Sequence, residues 1–169
     1  HLDHIKGLLF AADNIIGRIK QPVNIRAIPK AIDAIKKHLM NELIWPDFTK
    51  IPTPKNPVLA YKPFFAGKFI NLAGLKVKAI PMNHPVPAVG FLVSDGKSAF
   101  IYSADTGPNE GLWAEAKKVK NLKGIIVDTS FPNGREFVAG LSGHFTPAQL
   151  HEDLTKAAGS NSGPPIIYN

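Results

Sequence analysis

The chain has 169 residues, of which 44% are hydrophobic and 20% are charged, and it contains no cysteine. This composition supplies a packed core, favours a single domain over residues 1–169, and excludes disulfides, thiolate zinc sites, iron–sulfur clusters and a cysteine nucleophile. Lysine and arginine number 20 against 13 aspartates and glutamates, so the net charge of +7 favours anionic partners. Because the chain contains no cysteine, any metal must bind to histidines and carboxylates.

The first part of the chain is predicted to be helical. Apolar residues recur at three- and four-residue spacing over residues 2–20 and again over 30–43, which predicts two amphipathic helices. Five prolines within residues 45–65 predict an irregular surface connection after them.

The hydrophobic period then changes to that of short strands. Segments rich in β-branched and aromatic residues predict strands over 68–72, 75–80, 88–94 and 98–103. Asp95-Gly96 predicts a two-residue hairpin turn between the last two strands, because both residues tolerate a positive φ. The remainder predicts a helix (109–119), a buried strand (124–127), a glycine-rich loop, a helix (147–158) and a final strand (165–168). The predicted class is α/β with a mixed sheet.

The first four residues, His1-Leu2-Asp3-His4, place two imidazoles and a carboxylate directly before the first helix. Neutral imidazole and carboxylate are ligands that suit zinc, manganese or iron. On these residues alone, a helix-capping Asp3 beside two solvated histidines is equally compatible with the pattern.

Two further candidate ligands lie at the ends of predicted strands. His84 occurs in Asn83-His84-Pro85, and Asp105 occurs in Asp105-Thr106-Gly107-Pro108. Functional side chains often lie at such positions, because the sheet holds the backbone while the loop leaves the side chain open. Taken singly, each residue is more typical of an ordinary turn.

Together, these motifs resemble those of the metallo-β-lactamase superfamily, whose pattern His-x-His-x-Asp-His would place its second histidine at His1. The resemblance implies an αββα sandwich with mixed sheets, incomplete at both ends, and two bound divalent metal ions. It implies His1 and His84 on one metal, Asp3 and His4 on the other, and Asp105 as the bridge between them. Zinc is the expected metal, with manganese or iron as alternatives.

Further blocks are similar to the class II cyclic-nucleotide phosphodiesterases of that superfamily. These blocks are residues 34–41, 44–48, 83–91, 105–108, 129–133 and 142–147, and they occur in family order along almost the whole chain. The family has Glu where this chain has Asp128. The family pattern also leads us to expect a metal-binding histidine two positions before His1 and another directly after Asn169.

The resemblance implies a metal-dependent phosphodiesterase that hydrolyses 3′,5′-cyclic nucleotides, with cyclic AMP expected, to 5′-monophosphates by means of a metal-bound hydroxide. It implies that His144 is the general acid, that Asp128 orients it, and that Asp3 serves catalysis as a metal ligand. Spacing alone favours an ordinary loop histidine beside a capping Thr146, and the resemblance reverses that preference.

Other functions remain open from the sequence. One is another hydrolase of the same fold, such as a tRNA 3′-processing ribonuclease, and a second is a basic, non-catalytic nucleic-acid-binding module. A third is that this stretch is inactive without the rest of a longer protein. The expected partner is a small anionic nucleotide rather than nucleic acid or a membrane, and a homodimer is an open alternative.

No apolar stretch approaches the ~20 residues of a membrane span, and the first residues lack the order of a signal peptide. A cytoplasmic location is therefore expected, with the periplasm as the alternative.

Overall fold

The computed structural model describes the backbone of residues 2–158 and 166–168 and the side chains of residues 5 and 7–157. The chain divides into two compact units, His1–Phe65 and Ala66–Asn169, each with its own buried core. Its organisation as a single domain stays a prediction. None of the helices in the described part of the chain combines the length and apolar character that a membrane crossing needs.

The first unit contains two helices and four short strands. They are α1 (Leu2–Ile15), β1 (Val23–Ile25), α2 (Pro29–His38), β2 (Pro52–Thr53), β3 (Asn56–Pro57) and β4 (Leu59–Tyr61). Strand β1 pairs in parallel with β4, and β2 pairs antiparallel with β3. The apolar stripe of each helix contributes to a core that contains Leu9, Ala12, Ile35, Met40, Phe48, Val58 and Leu59.

Both helices end earlier than the periodicity predicts. Helix α1 ends at Ile15 rather than at residue 20, because Gly17 adopts a left-handed φ of 72°. Helix α2 ends at His38 rather than at residue 43, because the Asn41 carbonyl Oδ1 accepts hydrogen bonds from the backbone N–H groups of Leu43 and Ile44 at 3.1 and 2.8 Å. Such local side-chain bonds compete with continuation of the helix.

The proline-rich connection over residues 45–65 is more ordered than predicted, because β2, β3 and β4 lie within it. Val58 and Leu59 are only 2% and 1% exposed, so burial of this apolar run holds the segment in an extended conformation.

The second unit is built on a six-stranded mixed sheet. Its elements are β5 (Phe69–Leu72), β6 (Leu75–Pro81), β7 (Val89–Ser94), β8 (Ala99–Tyr102), α3 (Glu110–Lys118), β9 (Leu122–Val127), α4 (Glu136–Ser142), α5 (Pro147–Ala158) and β10 (Ile166–Tyr168). The strand order is β10-β9-β8-β7-β6-β5, with antiparallel pairs from β5 to β8 and parallel pairs from β8 to β10. The prediction of a mixed α/β sheet is confirmed, and only the ends of the strands shift.

Two tight hairpins join the antiparallel strands. Ala73 and Gly74 connect β5 to β6 with φ values of 48° and 84°, the two positive angles that a type I′ turn requires. Between β7 and β8, the backbone N–H of Asp95 donates to the Ser98 carbonyl at 3.2 Å, so the central pair is Gly96-Lys97. The predicted central pair, Asp95-Gly96, is therefore wrong by one position. The positive φ of 92° at Gly96 is consistent with a turn that has glycine first.

Helices α3 and α5 pack on one face of the sheet. The core there contains Ile80, Leu92, Ala99, Ile101, Leu112, Trp113, Ile125, Val127, Phe145 and Leu150. Helix α3 is capped by Asn109, whose side chain accepts a hydrogen bond from the N–H of Leu112 at 3.1 Å. The two helices are joined by the indole Nε1 of Trp113, which donates to Asp153 at 2.6 Å. The bounds predicted for α5 are confirmed.

Helix α4 replaces part of the loop predicted between β9 and α5. Its glycines suggest a loop, but Gly143 instead forms the left-handed C-cap, and its N–H donates to the carbonyls of Ala139 and Gly140. The chain therefore turns sharply just before His144.

Candidate active site

Four strands of the six-stranded sheet, β6, β8, β9 and β10, end at the same edge, and a candidate functional residue follows three of them. Strand β6 runs in the same direction as β8, since both are antiparallel to β7, and β9 is parallel to β8. His84 follows β6, Asp105 follows β8 and Asp128 follows β9 directly. This edge, where β6, β8 and β9 end, is called the site edge below.

The imidazole of His144 is paired with the carboxylate of Asp128. Nδ1 of His144 lies 2.6 Å from Oδ2 of Asp128, and Oδ1 of Asp128 accepts a hydrogen bond from the Ser130 hydroxyl at 2.5 Å. The two paired side chains are only 18% and 13% exposed. A carboxylate at Nδ1 assigns the Nδ1–H tautomer, so Nε2 is the nitrogen left to face a ligand.

Two rings flank His144 within this cluster. The imidazole of His84 meets it edge to face, with 5.1 Å between ring centroids and 88° between ring planes. The ring of Phe131 lies 5.8 Å from it at 59°. His144 therefore reaches the site edge from the α4–α5 connection and lies beside the residue that ends β6.

Gly143 makes this approach possible. A Cβ atom at residue 143 would lie 2.4 Å from Cδ of Pro85, which is closer than packed atoms allow, and 3.0 Å from Cα of His84, which is tighter than ordinary van der Waals contact. Its φ of 72° is also a conformation that favours glycine. The α4–α5 connection can therefore pack against the His84 loop only because residue 143 has no side chain.

Hydrogen bonds tie the loops after β6 and β8 to each other. The backbone N–H of Gly107 donates to the carbonyl of Asn83 at 2.9 Å, and the Asn83 side chain donates to the carbonyl of Pro108 at 2.7 Å. The backbone N–H of Asn83 donates to the buried Thr106 hydroxyl at 3.3 Å. These contacts set the position of His84 relative to the turn that carries Asp105.

One buried hydroxyl connects the turns that carry Asp105 and Asp128. Ser103 is fully buried, and its Oγ accepts the backbone N–H of Asp128 at 3.0 Å while donating to the carbonyl of Ala104 at 2.7 Å. Ala104 adopts a left-handed φ of 54°, which is strained for a residue with a Cβ atom. Local strain of this kind is typical of functional sites.

The donor set suits a divalent cation together with a proton-transfer pair. Asp105, Asp128 and His144 each offer a ligand atom, and these atoms lie within 4.8 Å of one another. Imidazole nitrogen and carboxylate oxygen are ligands that zinc accepts. Both oxygens of Asp128 are engaged, one by the Ser130 hydroxyl and the other by the His144 ring, so Asp128 belongs to the proton-transfer pair.

The structure brings together four of the seven residues that the sequence singles out for the site: His84, Asp105, Asp128 and His144. His1 lies outside the described residues. The backbone of Asp3 and His4 belongs to α1, but their side chains also lie outside the described part. All metal-binding and catalytic roles stay predictions.

Two serines, Ser103 and Ser130, contact Asp128 without belonging to the site that the sequence predicts. Ser130 follows Asp128 by two residues, a spacing at which a hydroxyl commonly bonds a nearby carboxylate, so this contact has a local signal. The contact of Ser103 joins residues 25 apart and has no local signal.

Residues 1–165 match the family model described as cAMP phosphodiesterases class-II. The chain is 29% identical to a probable 3′,5′-cyclic-nucleotide phosphodiesterase of Yersinia pestis, over 98% of this chain and 51% of that protein. It is 30% identical to 3′,5′-cyclic-nucleotide phosphodiesterase 1 of Saccharomyces cerevisiae, over 92% of this chain and 48% of that protein. The chain thus spans about half the length of these curated relatives.

Solved structures show the same fold. A crystal structure of unliganded yeast PDE1 superimposes with a TM-score of 0.86 at 26% identity and covers 100% of this chain and 54% of that one. The metallo-beta-lactamase fold protein YhfI of Bacillus subtilis gives a TM-score of 0.65 at 14% identity, over 100% of this chain and 69% of that one. The short form of human tRNase Z gives a TM-score of 0.61 at 16% identity, over 100% of this chain and 73% of that one. The prediction of the metallo-β-lactamase fold is confirmed.

Proposed function

Because this chain belongs to the class-II cAMP phosphodiesterase family, we propose that the protein carrying it hydrolyses 3′,5′-cyclic nucleotides to 5′-monophosphates, with cyclic AMP as the preferred substrate. The observation that carries the proposal is the cluster of His84, Asp105, Asp128 and His144 at the site edge. The ligand of the site is then a small anionic nucleotide.

Two divalent cations complete the proposed site, with zinc favoured and manganese or iron as alternatives. His84 and Asp105 would hold them together with His1, Asp3 and His4, and Asp105 would be shared by both. When bound, the cations supply positive charge for the phosphate oxygens and make water nucleophilic near neutral pH. A phosphodiester needs both, since its negative charge repels an anionic nucleophile.

His144 supplies the proton for the leaving group in this proposal. Asp128 accepts the Nδ1–H hydrogen bond and stabilises the imidazolium form of His144, and the Nε2 proton of that cation passes to the 3′-oxygen as its bond to phosphorus breaks. Ser130 occupies the other oxygen of Asp128, which keeps the carboxylate from rotating away from the ring. Solvent then returns a proton to Nε2.

The substrate assay uses the full-length protein that contains this sequence. Cyclic AMP, cyclic GMP and a precursor tRNA are each incubated with zinc or manganese, and products are separated by chromatography. We expect 5′-AMP from cyclic AMP, loss of activity after chelation, and recovery when metal is restored. Cleavage of the tRNA alone would refute the proposal and favour a ribonuclease.

A variant assay tests the proton donor. His144→Ala is expected to lower kcat by about 10²–10⁴-fold, the usual contribution of general acid catalysis. Asp128→Asn is expected to lower it as well, because the amide fails to select the Nδ1–H tautomer. His151→Ala is the matched control, since His151 is exposed on α5 and should keep normal activity. Equal activity in His144→Ala and His151→Ala would remove His144 from the mechanism.

A further inference from the structure

A cavity lies at the edge of the six-stranded sheet opposite to the site edge. It has a volume of about 500 Å³ and is lined by residues of β5, β6, β7 and β8, by the hairpin residue Gly96 and by residues 118–121 at and after the end of α3. This volume lies within the range of roughly 300–1,000 Å³ that is usual for small-molecule sites. The cavity is remote from His84, Asp105 and Asp128, because those residues follow the opposite ends of β6, β8 and β9.

A row of paired residues from four neighbouring strands crosses the lining of the cavity. Asn71 pairs with Lys76, Lys76 with Ser94, and Ser94 with Ala99, so one row of side chains crosses four strands on the same face. Leu92 and Ala99 are 3% and 1% exposed and supply an apolar base. Polar groups thus surround an apolar floor.

The charge of this region is strongly positive. Lys76, Lys118 and Lys120 line the cavity, and no acidic residue lines it. The carboxylate of Glu115, just outside, is shared between Lys78 at 2.5 Å and Lys118 at 2.8 Å. Four lysines against one glutamate leave a surplus of three positive charges.

The adjoining hairpin leaves this surplus unchanged. Asp95 and Lys97 cancel in charge, and the Asp95 carboxylate accepts the backbone N–H groups of Lys97 and Ser98 at 2.8 and 2.7 Å. It is therefore committed to its own turn.

An aromatic ring completes the lining. Phe69 lies in the first position of β5 and is 54% exposed, which is unusual for so large an apolar side chain. A flat ring at a basic cavity offers a stacking surface for an aromatic ligand, and lysine ammonium groups bind phosphate as point charges. We propose that this cavity is a second binding site, which takes a phosphomonoester attached to a flat aromatic ring, such as a nucleoside monophosphate.

Helix polarity explains only part of the charge. Lysines near the C-terminus of a helix complement its partial negative charge, which accounts for Lys118 and Lys120 without any ligand. Lys76 comes from β6 instead, and it lies in the row between Asn71 and Ser94. Helix polarity therefore does not account for Lys76. The Lys78 ammonium lies 5.6 Å from the centroid of the Phe69 ring, so that ring already takes part in a cation–π contact beside the cavity.

Photolabelling locates the site directly. The full-length protein is irradiated with 8-azidoadenosine 5′-monophosphate, and labelled peptides are identified by mass spectrometry. We expect adducts within residues 66–76 or 117–123, and we expect unlabelled 5′-AMP or added salt to suppress them, since salt screens exposed lysines. Adducts confined to peptides that contain His84, Asp105, Asp128 or His144 would overturn the proposal.

Variants test the two recognition elements. Lys76→Gln/Lys120→Gln is expected to reduce cavity labelling about tenfold, because two exposed ion pairs together contribute roughly 1.4 kcal/mol. Lys55→Gln/Lys62→Gln removes the same charge from exposed positions in the first unit and should leave labelling intact. Equal loss in both double variants would show a nonspecific charge effect and refute the site.

Competition tests the ring contact. Phe69→Ala should weaken protection by 5′-AMP but not by ribose 5-phosphate, which lacks the ring. Identical protection by the two competitors in the unaltered protein would overturn the aromatic part of the proposal. Because the label reports binding and not hydrolysis, failure of the proposed phosphodiesterase activity would not change these outcomes.

Discussion

The two edges of the six-stranded sheet connect its strands in different ways. At the edge opposite to the site, the hairpins at Ala73-Gly74 and Gly96-Lys97 close through backbone angles and bonds within each turn. At the site edge, the connections bond to one another, as Gly107 does to Asn83 and Ser103 does to Asp128. The hairpins of the opposite edge are therefore stabilised within each turn, whereas the loops of the site edge are stabilised by hydrogen bonds from one loop to another.

The largest expected difference in loss of stability is between alanine substitutions at two glycines, one at each edge. Gly143→Ala should destabilise the fold by about 2–4 kcal/mol, because the new Cβ meets Pro85 in addition to adopting a strained φ. Gly74→Ala has a similar φ of 84° but nothing within 4 Å, so about 1 kcal/mol is expected. Denaturant unfolding measures both.

Activity adds a second readout to the same pair. Under the proposed function, displacement of the proposed proton donor His144 in Gly143→Ala should slow hydrolysis of cyclic AMP by the full-length protein about 100-fold, since small misplacements of catalytic groups have such effects. Equal stability losses in the two variants would contradict the close approach of the α4–α5 connection to the His84 loop.

Two serines with similar bonding provide the next contrast. Ser103→Ala leaves the N–H of Asp128 and the carbonyl of Ala104 without their buried partner, at a cost of about 1–3 kcal/mol. Ser94→Ala removes bonds only within its own hairpin, to Ser98 and Gly96, so a loss of about 0.5–1 kcal/mol is expected.

Hydrogen exchange distinguishes the reach of the two changes. Ser103→Ala should accelerate exchange in both the 104–107 and the 128–130 segments, whereas Ser94→Ala should accelerate it only near 95–98. Acceleration confined to residues beside 103 would show that the hydroxyl does not join the two loops.

Near the opposite edge, an ion pair joins Lys78 of β6 to Glu115 of α3, and its contribution to the free energy of unfolding depends on pH. Hydrogen bonds from Lys118 and Lys78 lower the pKa of Glu115 below its ordinary value of 4.5. The resulting stability is present above pH 4.5 and is lost as the pH falls through the lowered pKa. Glu115→Gln should therefore cost about 0.5–1 kcal/mol at neutral pH and progressively less below pH 4.5.

Urea unfolding across this pH range measures the effect. Adding Lys78→Gln to Glu115→Gln should change the free energy of unfolding only slightly, because Lys78 has then already lost its carboxylate partner. A difference between Glu115→Gln and the unaltered protein that stays constant from neutral to acidic pH would contradict an ionic origin.

The smallest expected effect is a gain in stability from relieving strain. Ala104→Gly and Ala73→Gly both remove a Cβ from a left-handed residue, with φ values of 54° and 48°, and each should stabilise by up to about 1 kcal/mol. Thermal unfolding compares them. A loss of stability in Ala104→Gly with a gain in Ala73→Gly would show that the Ala104 side chain supports the Asp105 turn through its own contacts.

Periodicity and turn residues predict much of this fold. The strands of the six-stranded sheet and helix α5 follow from their apolar patterns, because each element buries one face. The sequence does not predict helix α4, because its glycines suggest a loop, and it predicts too long an α2, because the Asn41 turn resembles continued helical spacing. In both cases a single residue's backbone or side chain outweighs the general pattern.

The residues of the candidate site are harder to predict from their neighbours in the sequence. Taken singly, His84 and Asp105 are typical turn residues and His144 is an ordinary loop histidine, so family resemblance identifies them. Ser103 carries no such signal, because its bond reaches a residue 25 positions away.

The amino-acid order alone establishes which residue types are present, where the apolar faces recur and which turns can form, since these depend on neighbours a few positions apart. The meeting of His84, Asp128 and His144 depends instead on strand directions, on the space left at Gly143 and on the hydroxyl of Ser103. Such contacts form only when distant segments pack, because their free energy comes from burial and hydrogen bonds that no segment makes alone.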